Sequence, residues 1–460
     1  MQKTVFLQVF AKLSEIMSIP PSFILLCNRE GPILKILILG FGNHASGADA
    51  AEYYRSYNHE VHLYESRPRA SFGSMPLRLE EEGVFLHFED IDVKTIPQYD
   101  LVVKNPATPV AFPAQKKAKR ITNDFAALLT NPDVAGMKKI VIVGNKGKTL
   151  LASAVCHALN EMGAHAQMCG VIGMSGYHLL KDIKEKGPGC YTHLVLEMAS
   201  WQITDTANAL HGQWPKLDLV IMTSKANAQR LDKRENYRIF GPWVDKAIID
   251  RDARATFLRE TGFNKKKLFL SPSVFNPMKN ATPHESAFDV LKALGYHKSE
   301  IAEALSTYKG IPHRMEQVAL KDNILYINDS ASILPESVAY AVKTMGQASI
   351  HLIMGGTERG NTELGSLSIP IKMATSITLL SGSFTEKIIS ILEKKDVPYS
   401  GPFENMEDAV ASAREKANEF LERNGNTQII ILSPGASGYE YFQNEFNRGN
   451  IFKRIVKEMD

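Results

Sequence analysis

Lys138-Lys139-Ile140-Val141-Ile142-Val143-Gly144-Asn145-Lys146-Gly147-Lys148-Thr149 is the stretch on which the reading of this chain turns. Ile140 to Val143 form an apolar run of strand character, and it ends abruptly in glycines. Leu150, Leu151, Ala154, Val155, Ala158, Leu159 and Met162 then recur at helical spacing. A strand, a Gly-x-x-Gly-Lys-Thr loop and a helix place backbone N–H groups and a helix N-terminus around phosphate oxygens. Lys148 adds a point charge, and the Thr149 hydroxyl is aimed at Mg²⁺. Gly144, Asn145, Lys146, Gly147, Lys148 and Thr149 are therefore the expected ligands of a nucleotide triphosphate. Ile142 stands where the longer Walker spacing has its first glycine, so this loop is a shorter variant.

Outward from the loop the pattern repeats. Downstream, His193-Leu194-Val195-Leu196-Glu197-Met198 reads as a strand with a carboxylate at its end, where an acid completes a Mg²⁺ shell begun by Thr149. Upstream, Ile36-Leu37-Ile38-Leu39-Gly40-Phe41-Gly42 leads through a helical stretch into Glu60-Val61-His62-Leu63-Tyr64-Glu65. Glycines at such a turn admit a diphosphate, and Glu65 at the end of the second strand is placed to hold a ribose hydroxyl. Ala45 occupies the position of the usual third glycine and Gly47 comes two residues late, so both a dinucleotide and a nucleotide-sugar diphosphate stay open as ligands. Further strands are expected at 101–105, 324–328, 349–354, 377–380 and 428–432, and a helix at 408–423 turns Ala409, Ala413, Ala417, Phe420 and Leu421 to one side.

The 460 residues carry 53 basic and 50 acidic side chains, a balance without the field that draws a protein to nucleic acid or anionic lipid. No apolar run reaches the roughly 20 residues that span a bilayer. The cysteines number four and have no metal-ligand spacing, which fits a reducing, cytoplasmic compartment. Residues 1–34 read as an N-terminal extension without a signal peptide's continuous apolar segment.

Several longer motifs add a likeness. Val103-Lys104-Asn105-Pro106-Ala107-Thr108-Pro109, the glycine loop, Leu196-Glu197-Met198-Ala199-Ser200-Trp201-Gln202 and Pro312-His313-Arg314-Met315-Glu316 follow one another along the chain. Ile327-Asn328-Asp329-Ser330, Gly355-Gly356-Thr357, Leu432-Ser433-Pro434-Gly435 and Arg448-Gly449 continue the series. In this order, from about residue 35 to the C-terminus, they resemble the Mur ligases of peptidoglycan synthesis, as a divergent member of the branch that adds D-glutamate to UDP-N-acetylmuramoyl-L-alanine.

The resemblance implies an α/β protein of three domains: a Rossmann-like UDP-sugar domain over 35–125, a P-loop ATPase-type domain with a parallel-rich sheet over 126–314, and a Rossmann-like domain for the amino acid and part of the ATP over 315–460. It implies ATP and Mg²⁺, UDP-N-acetylmuramoyl-L-alanine and D-glutamate as partners, a monomer, and an acyl phosphate intermediate. Carried over by position, Gly40, Gly42, Ala45, Glu65, Lys104 and Asn105 would face the nucleotide sugar. Lys148 and Glu197 would be catalytic, Thr149 and Glu197 metal ligands, and Asn280, Arg314 and Asp329 ATP ligands. Lys246 would be the lysine that the family carbamylates. Arg359, Ser437 and Gly438 would line the amino-acid pocket.

Departures from the pattern keep other readings open. The family's Asp-His pair after the metal glutamate is missing, with Gln229 near its place. Asn328-Asp329-Ser330-Ala331-Ser332-Ile333 lacks the lysine and threonine usual there, and Gly438 replaces a serine. A ligase of the same chemistry with another amino acid or nucleotide sugar, a nucleotide-binding paralogue without turnover, and a dehydrogenase remain as alternatives.

Overall fold

The computed structural model describes residues 32–42, 46–105, 108, 117–144, 147–171, 174–223, 235–271, 283–346, 348–358 and 364–459. The chain divides into two compact units, Met1–Tyr308 and Lys309–Asp460.

The first unit holds two sheets. In one, β1 (Lys35–Leu39), β2 (Glu60–Tyr64), β3 (Phe85–His87), β4 (Leu101–Lys104) and β5 (Ile121–Thr122) lie in the order β3-β2-β1-β4-β5, all parallel. In the other, β6 (Lys138–Val143), β7 (Ala166–Cys169), β8 (His193–Glu197), β9 (Leu217–Met222), β10 (Val244–Asp250) and β11 (Leu268–Ser271) lie in the order β11-β10-β9-β6-β8-β7, again all parallel. Parallel strands are covered by helices on both faces, which is why their sequences are continuously apolar rather than alternating. In β6 the alternate side chains Ile140 and Ile142 pack with Leu151, Val155 and Ala158 of the helix Lys148–Glu161, while Val141 and Val143 enter a different core. That second core is continuous with Ile36, Tyr53 and Tyr54 of the first sheet's layer, so the two sheets share packing.

The second unit holds β12 (Glu316–Lys321), β13 (Ile324–Asn328), β14 (Ser349–Gly355), β15 (Ser376–Leu380), β16 (Ser400–Phe403) and β17 (Gln428–Leu432) in the order β12-β13-β17-β14-β15-β16. Only β12 runs antiparallel to its neighbour. The helix Met406–Asn424 starts two residues before the expected 408 and buries Met406, Ala409, Val410, Ala413 and Ala417; the three alanines are as expected, whereas Phe420 and Leu421, expected beside them, are only half-buried.

In each sheet the chain reverses its direction of winding at one point, and loops at the carboxyl ends of the flanking strands open a crevice there. β1 and β4 flank such a point in the first sheet, β6 with β8 and β9 in the second, and β13, β17 and β14 in the third. Three crevices are thus fixed by strand order.

Candidate active site

At the second sheet's crevice the chain leaves β6 through Gly144, with φ 121°, and enters the helix Lys148–Glu161 through Gly147, with φ 80°. The left-handed backbone at Gly147 is open to glycine at little cost, which explains the residue type. The N-cap is Gly147, and among the described residues no side chain caps this helix, so its first N–H groups and the positive end of its dipole lie at the loop. Lys148 Nζ donates to the Gly144 carbonyl at 3.0 Å and lies 3.8 Å from Glu197 Oε1. Thr149 is the second residue of the helix, and Glu197 is the last of β8. The structure therefore brings Gly144, Gly147, Lys148, Thr149 and Glu197 to one edge. A cationic loop beside an uncapped helix start and a carboxylate suits a phosphate chain with a hard cation. Among the described residues no group of three or more His, Cys, Asp or Glu could hold a metal ion. The Glu197 carboxylate and the Thr149 hydroxyl are groups of the kind that Mg²⁺ takes beside water and phosphate oxygens.

At the first sheet's crevice, Asn105 Nδ2 donates to Ser46 Oγ at 2.8 Å, tying the loop after β4 to the helix Ser46–Arg55. A Cβ on Gly47 would sit 2.0 Å from the Gly40 carbonyl carbon's oxygen, and Gly47 N donates to Phe41 O at 2.9 Å. Gly47, two residues late in the sequence pattern, thus performs the close helix-to-strand packing expected of the third glycine. Glu65 is buried. Its Oε2 accepts from Phe41 N at 3.0 Å, and its two oxygens accept from Arg67 Nε at 3.0 Å and NH2 at 2.9 Å. Burial raises its pKa, but Arg67 and the two N–H donors outweigh that and hold it below the ordinary value. The carboxylate therefore braces the Gly40-Phe41-Gly42 turn. Lys104, expected against the nucleotide sugar, is 3% exposed and ion-paired with Asp205, which is equally deep in the helix Ser200–Ala209. Its ammonium joins the two sheets of the unit. Burial raises the pKa of Asp205 despite that pairing.

Lys246 is not brought to the glycine loop. It lies in β10 opposite Leu219, which pairs with Ile140, four residues before Gly144. Its Nζ donates to the Ala293 carbonyl at 2.7 Å. Likeness of sequence alone chose it, and the register carries it to the amino half of the sheet, away from the edge where the carbamate would act.

In the second unit the crevice loops are closely bonded. Asp329 N donates to Leu432 O, Met315 N donates to Asp329 Oδ1 at 3.1 Å, and Ser433 Oγ donates to Asp329 Oδ2 at 2.7 Å. Burial lifts the Asp329 carboxyl to about 6, with hydrogen bonds from Ser332, Ser433 and Met315 N and the Arg314 charge opposing it. Ser437 forms a two-bond bridge with Thr357, and its Oγ donates to the Thr357 carbonyl at 3.2 Å. Gly438 follows directly, without a side chain to offer. Ala45, Asn145, Lys146, Gln229, Asn280 and Arg359 lie outside the described residues.

Sequence reasoning passed over Asp205, Asn236 and Arg448 as site elements. Among the described residues Asn236, which is buried, has no hydrogen-bond partner for its Oδ1, and Arg448 is fully enclosed. An arginine followed by glycine was visible as a motif, but nothing local marks an arginine as buried.

No protein-family model matches the chain. The UDP-N-acetylmuramoylalanine--D-glutamate ligase of Borreliella afzelii is 27% identical over 464 residues, covering 92% of this chain and 97% of the relative. The ligase of the same name from Bacteroides fragilis is 25% identical and covers 92% of this chain and 100% of the relative. That of Treponema pallidum is 35% identical over 161 residues, covering 35% of this chain and 29% of the relative. Among solved structures, UDP-N-acetylmuramate-alanine ligase from Thermotoga maritima superposes with a TM-score of 0.53 at 14% identity, covering 92% of this chain and 99% of that one. The UDP-N-acetylmuramoylalanyl-D-glutamyl-2,6-diaminopimelate--D-alanyl-D-alanyl ligase from Acinetobacter baumannii does so at 0.51 and 13%, covering 87% and 92%. The fold is that of the Mur ligases, and the chain is similar over nearly its whole length to ligases named for D-glutamate addition.

Proposed function

We propose that this protein is an ATP-dependent ligase that joins D-glutamate to UDP-N-acetylmuramoyl-L-alanine during cytoplasmic synthesis of peptidoglycan precursors. The observation that carries the reading is the glycine loop at the second sheet's crevice, with Lys148 3.8 Å from Glu197 beside an uncapped helix start. The names of the full-length relatives supply the substrates. The described residues include no helix long and apolar enough to cross a membrane.

In the first step the substrate carboxylate attacks the γ-phosphoryl group, a P–O bond forms, the bond to the bridging oxygen breaks, and ADP leaves. In the second, the amine of D-glutamate attacks the acyl carbon, phosphate leaves, and the nitrogen sheds a proton as the amide forms. Two anions must meet in the first step, so fixed positive charge matters most. Lys148 and the helix N-terminus neutralise the phosphates. Mg²⁺, held by the Thr149 hydroxyl and the Glu197 carboxylate, would supply further charge at the transferring group. Asn145, Lys146, Asn280, Arg314 and Asp329 are proposed as the remaining ATP ligands, and Arg359, Ser437 and Gly438 as the amino-acid pocket. Gly40, Gly42, Ala45 and Asn105 are proposed to face the nucleotide sugar, with Glu65 and Lys104 bracing that crevice from beneath. The domains divide at residues 125 and 314 in this reading, and the protein acts as a monomer.

A second reading keeps the chemistry and changes the amino acid, because Gly438 and Ala331 bring no polar side chain to positions where the family has a serine and a lysine. Phosphate release from ATP and Mg²⁺ with UDP-N-acetylmuramoyl-L-alanine, measured with D-glutamate, L-glutamate or no amino acid, separates the two. Release that requires D-glutamate and vanishes in Lys148→Ala is the expected result. Release with neither glutamate, while ATP still binds, would sink the first reading.

A further inference from the structure

His62 on β2 and His87 at the end of β3 lie on the face of the first sheet opposite the helix Ser46–Arg55, which packs with Val61 and Leu63 instead. His62 Nδ1 and His87 Nε2 are 3.1 Å apart, with ring planes 10° apart and ring centres separated by 5.3 Å. Nearly coplanar rings at that spacing meet edge to edge, which is the geometry of one N–H···N bond; a metal ion would need both rings turned toward a common point off that line. His62 Nε2 lies 2.9 Å from Glu60 Oε1. A carboxylate only accepts, so Nε2 carries a proton, and Nδ1 accepts from His87 when His62 is neutral and donates to it when His62 is charged. The bond therefore survives the first proton and is lost on the second, when two N–H groups face each other. His87 resists that second proton. Burial first and the charge of His62 next hold it below its ordinary value, with Glu89 opposing and Lys35 adding to the effect. Among the described residues the other charged or titratable groups facing the pair are Lys35 on β1, 3.3 Å from Glu60, Tyr64 on β2, stacked on His87 at 4.1 Å, and Tyr99, edge-on to His62 at 5.4 Å.

The bond matters through what His87 carries. Its carbonyl accepts from Glu65 N at 2.9 Å, and Glu65 Oε2 in turn holds Phe41 N in the turn after β1. The ring of Phe88, the next residue, lies 6.0 Å from that of Phe41. β3 is three residues long and lies at the edge of its sheet, so few other bonds keep it in place. We propose that the His62–His87 pair positions the nucleotide-sugar crevice, and that acid, by placing a proton on each ring, releases β3 and with it the Glu65 brace of the Gly40-Phe41-Gly42 turn. A released strand takes up its proton near the ordinary histidine value of about 6.5, whereas the paired His87 takes it lower. The pairing is thus complete above about pH 6.5 and is lost as pH falls through the lower value of the folded state.

The inference rests on the proposed nucleotide-sugar site, and the experiment separates the two. Binding of UDP-N-acetylmuramoyl-L-alanine to the full-length protein is measured by calorimetry between about pH 7.5 and about pH 5.5, together with KM for each substrate, kcat, and protection of the Glu65 amide against exchange. The expected result is a Kd and a KM for the nucleotide sugar that rise about 5-fold or more toward the acid end, the scale of one lost hydrogen bond, while KM for ATP changes less than about 2-fold. Glu65 protection falls in step. His87→Gln keeps a donor for His62 but has no ring to titrate, so its Kd and its Glu65 protection stay level across the range. A Kd that climbs equally in His87→Gln overturns the inference. So does a Kd that stays level in the unchanged protein, a rise shared with KM for ATP, or Glu65 protection that ignores pH. Should His87→Gln fail to fold, His62→Gln, which also removes one ring of the pair, carries the same comparison. Absence of nucleotide-sugar binding at every pH would instead remove the ligase reading, while Glu65 protection in parent and variant would still decide whether the pair holds the turn.

Discussion

The crevice of the glycine loop and the crevice of the second unit are built from the same strand-to-loop geometry, yet they treat charge in opposite ways. At the glycine loop, Lys148 and Glu197 stay 13% and 15% exposed, and the helix start beside them has no side-chain cap. In the second unit, Asp329 and Arg448 are almost fully enclosed and bonded to backbone and hydroxyl groups. The first arrangement keeps its charge available to an incoming anion. The second has spent its charge inside the protein, where it fixes the loops' shape. Charge close to water serves chemistry, and charge removed from water serves position.

Breaking the first side of that contrast has the largest expected effect. In the proposed reaction Lys148→Ala removes the charge beside the transferring phosphoryl group, so kcat/KM is expected to fall by roughly 10³-fold or more, by analogy with loss of a preorganised charge stabiliser. Its melting temperature stays near that of the unchanged protein, and a collapse in stability would show that Lys148 is structural after all.

Next comes the buried pair that joins the two sheets of the first unit. Lys104→Met strands the Asp205 carboxylate without its cation, a change that costs on the order of 3–5 kcal/mol in urea unfolding. Adding Asp205→Leu should recover most of that loss, because two apolar groups suit the site better than one unpaired charge. A single variant as stable as the parent would place Lys104 on the solvent side of the contrast.

Asp329 gives a pH test of intermediate size. Its carboxyl is lifted to about 6, above the unfolded value, so the folded protein holds a proton that the unfolded chain releases. The associated stability is complete below about pH 4 and is lost as pH rises through about 6, an effect on the order of 1–3 kcal/mol. Asp329→Asn should flatten the unfolding profile between these limits relative to the parent, and parallel profiles would contradict the assignment.

The smallest effect sharpens the comparison from outside. Lys387 and Glu358 pair at 2.6 Å on the surface of the second unit, with Lys387 about half exposed. Lys387→Ala should shift stability by less than about 1 kcal/mol. A larger change, measured in the same urea titration, would mean that exposure does not separate the two kinds of charge.

Much of the architecture could be read directly. Runs such as Ile140 to Val143 and Ile36 to Leu39 declared parallel strands because both their faces are covered, and that demand is written into consecutive residues. The glycine loop was legible for the same reason, since its chemistry depends on neighbours within six positions. The site beyond it was legible only in part. Glu197 emerged where expected, at the end of a strand beside the loop. Lys246 did not, because a lysine in a strand of moderate polarity gives no sign of which end of the sheet it will reach. Gly47 took on the packing role that spacing had assigned to position 45.

What the sequence determined by itself was therefore local: which segments are strands and helices, where the glycine loop sits, and which ligase family the motifs resemble. Tertiary structure decided the fate of the charges. Phe41 lies 24 residues from Glu65, Asp205 lies 101 from Lys104, and Ser330 lies 118 from Arg448. Whether a charged group faces water or a buried partner depends on desolvation, and desolvation is set by neighbours that only the folded chain brings together.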